Sequence, residues 1–361
     1  MIVTLLFNII AVFFAWLQDS NQFKHGLKLS LFTVFLFLAL RYDFGNDYMG
    51  YLDNFLEVNR YSIWDSSLFR IKGNELGWLY LNRLFGPFGF FAMQAVLAGF
   101  TCIVLYKFIT NYVPHKYYWF AMFFYLFYPG SMLTLSSAMR QQVAVIIFLL
   151  AFDFIVQKKW FLYLVLITIA TTFHSSAIFL YPFILLSYIN WKLSFSQVLI
   201  ISIAFVLPII YVKEVFGFLE TLIIEQFDFY EVYTKGSDFS IDVGAGFALN
   251  ILIYLVVLYF AQSESRKKEL LLYKIAVLSL FLIPISFAIP LIGRLGMYLY
   301  PVMMAVYPMV FIKMKKTGPR LLYIGVVLFI TIYQFYMFFQ SPVWIRAFSE
   351  YNTIFSAPKF Y

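Results

Sequence analysis

The sequence predicts an all-α polytopic integral membrane protein, and three observations carry that prediction. Of its 361 residues 63% are hydrophobic and only 12% are charged, whereas a soluble domain has about a quarter of its residues charged. Long apolar stretches such as 31–40, 88–105, 143–156, 251–260 and 321–339 recur from one end of the chain to the other. Between them, basic residues fall in alternate loops, which is the signature of a membrane orientation.

Taken in order, the apolar segments predict about twelve helices, several shorter than the ~20 residues of a full span. They are 2–17, 28–40, 88–109, 117–136, 141–156, 160–173, 174–189, 197–213, 246–262, 270–289, 294–312 and 320–339. Short spans imply kinks, burial within the bundle or local thinning of the bilayer. The first segment has neither the basic leader nor the small-residue cleavage site of a secretory signal, so it reads as a span. Residues 160–189 must break at His174, because a single continuous span would put Lys192 on the wrong side and invert everything downstream. Cys102 lies alone in an apolar run and reads as a packed residue, which excludes an internal disulfide and any cysteine-based metal site.

The whole chain, 1–361, then reads as one transmembrane domain with two long loops on one side, 41–87 and 215–245. The first includes an amphipathic helix at Gly77–Phe85. The second carries Glu220, Glu225, Asp228, Glu231, Asp238 and Asp242 before a Gly-Ala-Gly hinge. Loops of that length in a compact protein serve as lids or binding elements. The tail 341–361 shows no clear pattern. Fifteen Lys and Arg residues against four acids gather on one side, and eleven against fourteen on the other. By the positive-inside rule the first side is cytoplasmic, so the net +8 reflects orientation and anionic lipid, not nucleic acid. Seven of the nine arginines (41, 60, 70, 83, 140, 294 and 346) fall on the outer side, while the inner side is nearly all lysine. Arginine's planar fork suits phosphate and carboxylate, which lysine's point charge does not match.

Four positions near the outer edge bear ionisable groups that are costly there, ~2.5–3.5 kcal/mol by insertion scales. At Arg41-Tyr-Asp-Phe-Gly-Asn-Asp-Tyr, the residues Arg41, Asp43, Asp47 and Tyr48 crowd together. They make either a cation for phosphate beside carboxylates that accept a hydroxyl proton, or an internally paired Arg–Asp staple. Ser136–Gln142 opens a helix that Ser136 or Ser137 can cap. Arg140 in its first turn, beside Gln141, is disfavoured by the helix dipole unless an anion offsets it. Thr171–Ala177 holds His174, the one histidine near this face, either a general base near neutral pH or a group satisfying the broken backbone. Gly293–Tyr298 repeats the arginine-at-a-helix-start pattern, with Arg294 and Tyr298 at i, i+4 on one face. A phosphate loop, a zinc-protease run and a nucleophile elbow are absent, so no cofactor and no metal is expected.

On these residues the chain resembles the EpsG / Wzy-type polysaccharide polymerases of bacterial inner membranes. The resemblance rests on R-Y-D-F-G-N-D-Y (41–48), Glu75-Leu-Gly-Trp, R-Q-Q-V-A-V (140–145), F-H-S-S-A (173–177) and R-L-G-M-Y (294–298), in the family's order. It implies a GT-C-like fold and transfer, on the periplasmic face, of a growing glycan from undecaprenyl pyrophosphate to a lipid-linked repeat unit. It further implies catalytic roles for Arg140, Arg294, His174 and Asp47, with His174 or Asp47 deprotonating the acceptor. Substrate contacts would come from Arg41, Asp43, Tyr48, Glu75, Gln141 and Tyr298. The implied partners are the undecaprenyl-linked oligosaccharide, membrane lipid, a chain-length regulator and a flippase. A glycan ligase, a lipid-monophosphate-sugar glycosyltransferase and a glycan flippase are the competing readings.

Overall fold

Backbone polar groups inside a bilayer must be satisfied within the protein, and the computed structural model is helical apart from one two-residue strand pair. It describes residues 1–61, 75–189, 245–262, 266–288 and 290–357, with 194, 196–197 and 199–203. The expected loop 215–245 lies, up to its last residue, outside the described residues, as does most of the helix expected at 197–213. Among the described residues five helices are long and apolar enough to cross a membrane: Ile2–Asp19, Phe90–Tyr112, Met139–Val156, Gly293–Lys313 and Thr317–Gln340. Five shorter apolar helices accompany them.

The contacts group into two units, Met1–Ser187 with Met303–Tyr361, and Tyr188–Val302. The first unit begins with α1 (Ile2–Asp19) and α2 (Gly26–Leu40), then β1 (Arg41–Tyr42), α3 (Tyr48–Val58) and α4 (Leu76–Phe85). It continues through α5 (Phe90–Tyr112), α6 (Tyr118–Phe127), α7 (Met132–Ser137), α8 (Met139–Val156) and α9 (Trp160–Phe173), followed by a 3-10 segment, Ser175–Ser187. The helices pack in a chain: α1 on α2 and α6, α2 on α5, α5 on α8, α8 on α9. Polar side chains tie these interfaces, as expected where lipid gives helices no hydrophobic reason to associate. Asn8 donates to the carbonyl of Leu126 at 2.9 Å. Gln94 donates to the carbonyls of Ala39 and Arg41 at 2.8 and 2.9 Å, pinning the end of α2 to α5. Cys102 is buried and free. Each ion pair among the described residues joins groups that the charge count places on one side: Lys107–Asp153, Arg266–Glu269 and Arg140–Glu75.

Three expectations need correction. The helix expected over 117–136 is two, α6 and α7, because Pro129 lacks a donor and forces Tyr128 out of the helical region, to ψ 113. Neither serine caps α8. Ala138 is its N-cap, and Ser136 Oγ instead donates to the carbonyl of Leu133 at 2.7 Å. The loop 41–87 contains a second helix, α3, whose Tyr48, Tyr51, Leu52 and Phe55 enter a core with Trp78, Phe90, Met93 and Met139. The break at His174 does form, with that residue extended at φ −154, ψ 118.

The C-terminal region returns to the first loop. After the helices α13 (Met303–Lys313), α14 (Thr317–Gln340) and α15 (Pro342–Ile345), numbered after three in the second unit, β2 (Asn352–Thr353) pairs antiparallel with β1. The amide of Gly45 donates to the carbonyl of Ala347 at 2.9 Å. Tyr351 stacks on Phe37 with centroids 4.7 Å apart, and its hydroxyl donates to the Phe37 carbonyl at 2.7 Å. Buried Phe348 meets Phe44 edge-on at 4.8 Å. Replacing half-buried Tyr351 by alanine is expected to cost about 2 kcal/mol, below the scale of a fully buried aromatic truncation. Tyr351→Phe, which loses the hydrogen bond alone, should cost about 1 kcal/mol. Thermal unfolding of both variants in detergent checks the order.

Candidate active site

The site is built where the chain leaves α2. Asp43 (φ 46) and Gly45 (φ +123) both adopt left-handed backbone, turning the chain sharply before α3. A Cβ on Gly45 would stand 3.0 Å from the Cα of Ser137, so glycine lets this turn lie against the end of α7. Asp47 then becomes the N-cap of α3, exposed, with its amide donating to Ser137 Oγ at 3.4 Å.

Arg41 is held by its backbone and buried by its side chain. Its carbonyl accepts from the Tyr48 hydroxyl at 3.0 Å as well as from Gln94. Its guanidinium is 2% exposed and lies 5.8 Å from the centroid of Tyr48. Nε and Nη1 have no hydrogen-bond partner among the described residues. Asp43 and Asp47 are exposed, and the groups acting electrostatically on Arg41 are the phenols of Tyr48, Tyr351 and Tyr51. The Arg–Asp staple does not form. Burial pulls the guanidinium down to about 10, which still leaves it charged at neutral pH.

Arg140, on α8, packs on Tyr51, one turn along α3 from Tyr48. Its guanidinium is 5.8 Å from the centroid of Tyr51 and hydrogen-bonds that phenol. Nη1 pairs with Glu75 Oε2 at 2.5 Å, the two side chains being 27% and 22% exposed. Glu75 precedes α4 as its N-cap residue, and its Oε1 accepts from the amide of Ser175 at 3.5 Å. One carboxylate thus joins Arg140 to the break beside His174. Burial pushes the Tyr51 phenol up, and Arg140 pulls it partly back. Tyr51 also feels the charge of Asp47, the N-cap residue of the same helix.

At the break, His174 Nδ1 accepts from the Ser176 amide at 3.3 Å and lies 2.6 Å from Ser176 Oγ. An imidazole nitrogen that takes a backbone N–H is unprotonated, so the neutral ring carries its proton on Nε2. His174 is thereby set as a donor through Nε2, with Ser176 fixing the tautomer.

Arg41, Asp47, Glu75, Arg140 and His174 therefore gather in the first unit, with Asp43 exposed in the same turn. Tyr48 is fully buried with its hydroxyl spent on Arg41, and Gln141 is 2% exposed within the bundle. Arg294 and Tyr298 belong to the second unit, with α10 (Ala245–Gln262), α11 (Lys267–Ala288) and α12 (Pro290–Leu299). There Arg294 sits in the second turn of α12 and not at its start, and Tyr298 is buried. Gly296 is filled by a neighbour: a Cβ there would meet the Tyr300 hydroxyl at 2.3 Å. Sequence reasoning passed over Tyr51, Ser176, Gln94 and Gln142. Only Tyr51 had a signal, its i+3 spacing from Tyr48.

The fold and these residues define a polytopic helical membrane protein that gathers guanidinium, imidazole and carboxylate groups within its first unit. Among the described residues no cluster of three His, Cys, Asp or Glu is placed to hold a metal ion. Residues 27–353 match the model of the EpsG family, nearly the whole chain and every residue of the site, and the chain belongs to that family. Comparison with curated proteins and with solved structures finds no significant match.

The register of this site depends on one close contact. A Cβ on Gly77 would stand 2.4 Å from Thr172 Oγ1 and 2.9 Å from the Thr172 carbonyl, so α4 lies directly on the end of α9. Gly77→Ala is expected to push α4 away, drawing Glu75 from Arg140, at about 1–3 kcal/mol for the overpacking. Activity in membranes falling roughly tenfold or more at unchanged protein level is the result to look for.

Proposed function

We propose that this chain is a polysaccharide polymerase of the bacterial cytoplasmic membrane, moving a growing glycan from undecaprenyl pyrophosphate onto a lipid-linked repeat unit at the extracytoplasmic face. Family membership supports polymerase chemistry in general. The observation that supports this reaction is Arg140, held on Tyr51 and paired to Glu75 beside His174.

The reaction needs a leaving diphosphate stabilised and one proton removed. The acceptor hydroxyl attacks the anomeric carbon, the bond from that carbon to the phosphate oxygen breaks, and the electron pair leaves on the diphosphate. Arg140 exchanges Glu75 for the diphosphate and binds it through its fork. His174 donates to the same group through Nε2, and preorganised donors of this kind lower the barrier where charge develops. The acceptor's proton goes to a carboxylate, and Asp47 is the one we assign: exposed, fixed at the start of α3 and within electrostatic reach of Tyr51. The acidic and aromatic loop 215–245 is assigned to the glycan. The chain-length regulator and flippase are the partners this reading needs.

Arg140→Ala in proteoliposomes supplied with radiolabelled lipid-linked repeat units should cut elongation about 100-fold or more, the scale of losing a transition-state donor. Arg140→Lys should recover little, since a point charge cannot replace the fork. Long chains persisting in Arg140→Ala would remove this residue from the mechanism, and translocation without elongation by the wild type would point to a flippase.

A further inference from the structure

Helix α4 has two apolar faces, and the core accounts for one of them. Trp78 and Leu79 are buried, the first in the cluster with Tyr51 and the second against Val58. Leu76, Tyr80 and Leu84 follow at i, i+4 and i+8 on another face, and they are 52%, 52% and 66% exposed. Phe88, in the turn that leads into α5, is 71% exposed. Scattered exposed apolar residues are ordinary, whereas a contiguous row of large ones marks an interaction surface. The row carries no charge. The guanidinium of Arg83, on the same helix, is directed instead to the Val58 carbonyl and Asn59 Oδ1, at 3.4 and 3.3 Å.

The surroundings of α4 identify what covers this row. At ten residues the helix is about 15 Å long, roughly half the hydrocarbon thickness, so it is too short to span. It packs on α5, long and apolar enough to cross a membrane, and on α9, a shorter apolar helix. Both neighbours leave large apolar side chains exposed, Val96 and Ile103 on α5, Phe161 and Ile169 on α9. In a membrane bundle such surfaces meet lipid. The row on α4 joins them at the end where Gly77 rests on Thr172 and Phe88 precedes α5. Tyr80 adds the amphipathic ring that favours the boundary between lipid and water. We propose that α4 is an interfacial helix, lying along the membrane surface with Leu76, Tyr80 and Leu84 immersed in the leaflet beside the candidate site. Glu75 immediately precedes Leu76, so the depth of this helix sets the depth of the carboxylate that holds Arg140. The bilayer itself then helps to position the ion pair. None of this depends on the polymerase reading, since lipid contact is measured without turnover.

The test uses the full-length protein in vesicles of phosphatidylethanolamine and phosphatidylglycerol, with a nitroxide label on single cysteines. Leu76→Cys, Tyr80→Cys and Leu84→Cys probe the row. Ile103→Cys serves as the lipid reference, and Glu57→Cys, exposed on α3, as the water reference. Cys102 is buried and is replaced by alanine in every variant. Oxygen concentrates in lipid and a nickel chelate in water, so the ratio of their collision rates with the label reports its surroundings. At all three positions the ratio should shift away from that of Glu57→Cys toward that of Ile103→Cys. A ratio at the Glu57→Cys level puts the row in water, and labels that neither reagent reaches put it under protein, such as a second copy. Either result overturns the proposal. The unsubstituted protein gives a second measurement should the cysteine variants fail to fold. A phospholipid with a photoreactive diazirine in the upper acyl chain should cross-link within residues 76–88 as well as within the spans. Cross-links confined to the spans overturn the proposal too.

Discussion

One buried guanidinium and one partly buried need electron density around them, and α3 provides it as aromatic faces. Tyr48 lies under Arg41 and Tyr51 under Arg140, one turn apart on one helix. The helix stays in place because its other apolar residues enter a core with Trp78, Phe90 and Met93. A cation–π contact contributes about 0.5–2 kcal/mol, against several kcal/mol for desolvating each ion. The rings therefore offset only part of the cost. Glu75 covers most of the remainder for Arg140, and for Arg41 no carboxylate does.

That difference separates the two cations: Arg140 is partly exposed and paired to a carboxylate, whereas Arg41 is buried against aromatic rings. Glu75 also touches the backbone beside His174, so displacing the carboxylate from Arg140 is felt at the imidazole. Ser176, through its amide, holds His174 Nδ1 as an acceptor. The chemistry is set as much by these neutral neighbours as by the charged groups themselves.

The helical membrane class was legible in the sequence, because lipid imposes long apolar helices. The His174 break was legible as well, since an unbroken span contradicts the charge count. Other features failed for physical reasons. Pro129 was hidden in a continuous apolar run, where hydropathy outweighed its missing donor. Ser136 and Ser137 looked like caps because the sequence does not show that a separate short helix ends on them. Arg140 meets a carboxylate 65 residues away, and periodicity cannot disclose such a pairing. Arg41 read as equally suited to a staple or a ligand site, and sequence alone does not show that Asp43 and Asp47 stay exposed. The tail is held by Phe348 and Tyr351, single aromatic anchors without any repeat to reveal them.

The strand pairing between residues 41–42 and 352–353 has a temporal consequence. Tyr351 reaches back 314 positions to the carbonyl of Phe37, so the turn bearing Arg41 is made early on the ribosome while its partner strand comes some three hundred residues later. Throughout insertion that turn stays open along one side. A nascent chain threading into the bilayer thus has the turn without the clasp that shapes it, and the local fold is completed late, when the two distant segments meet.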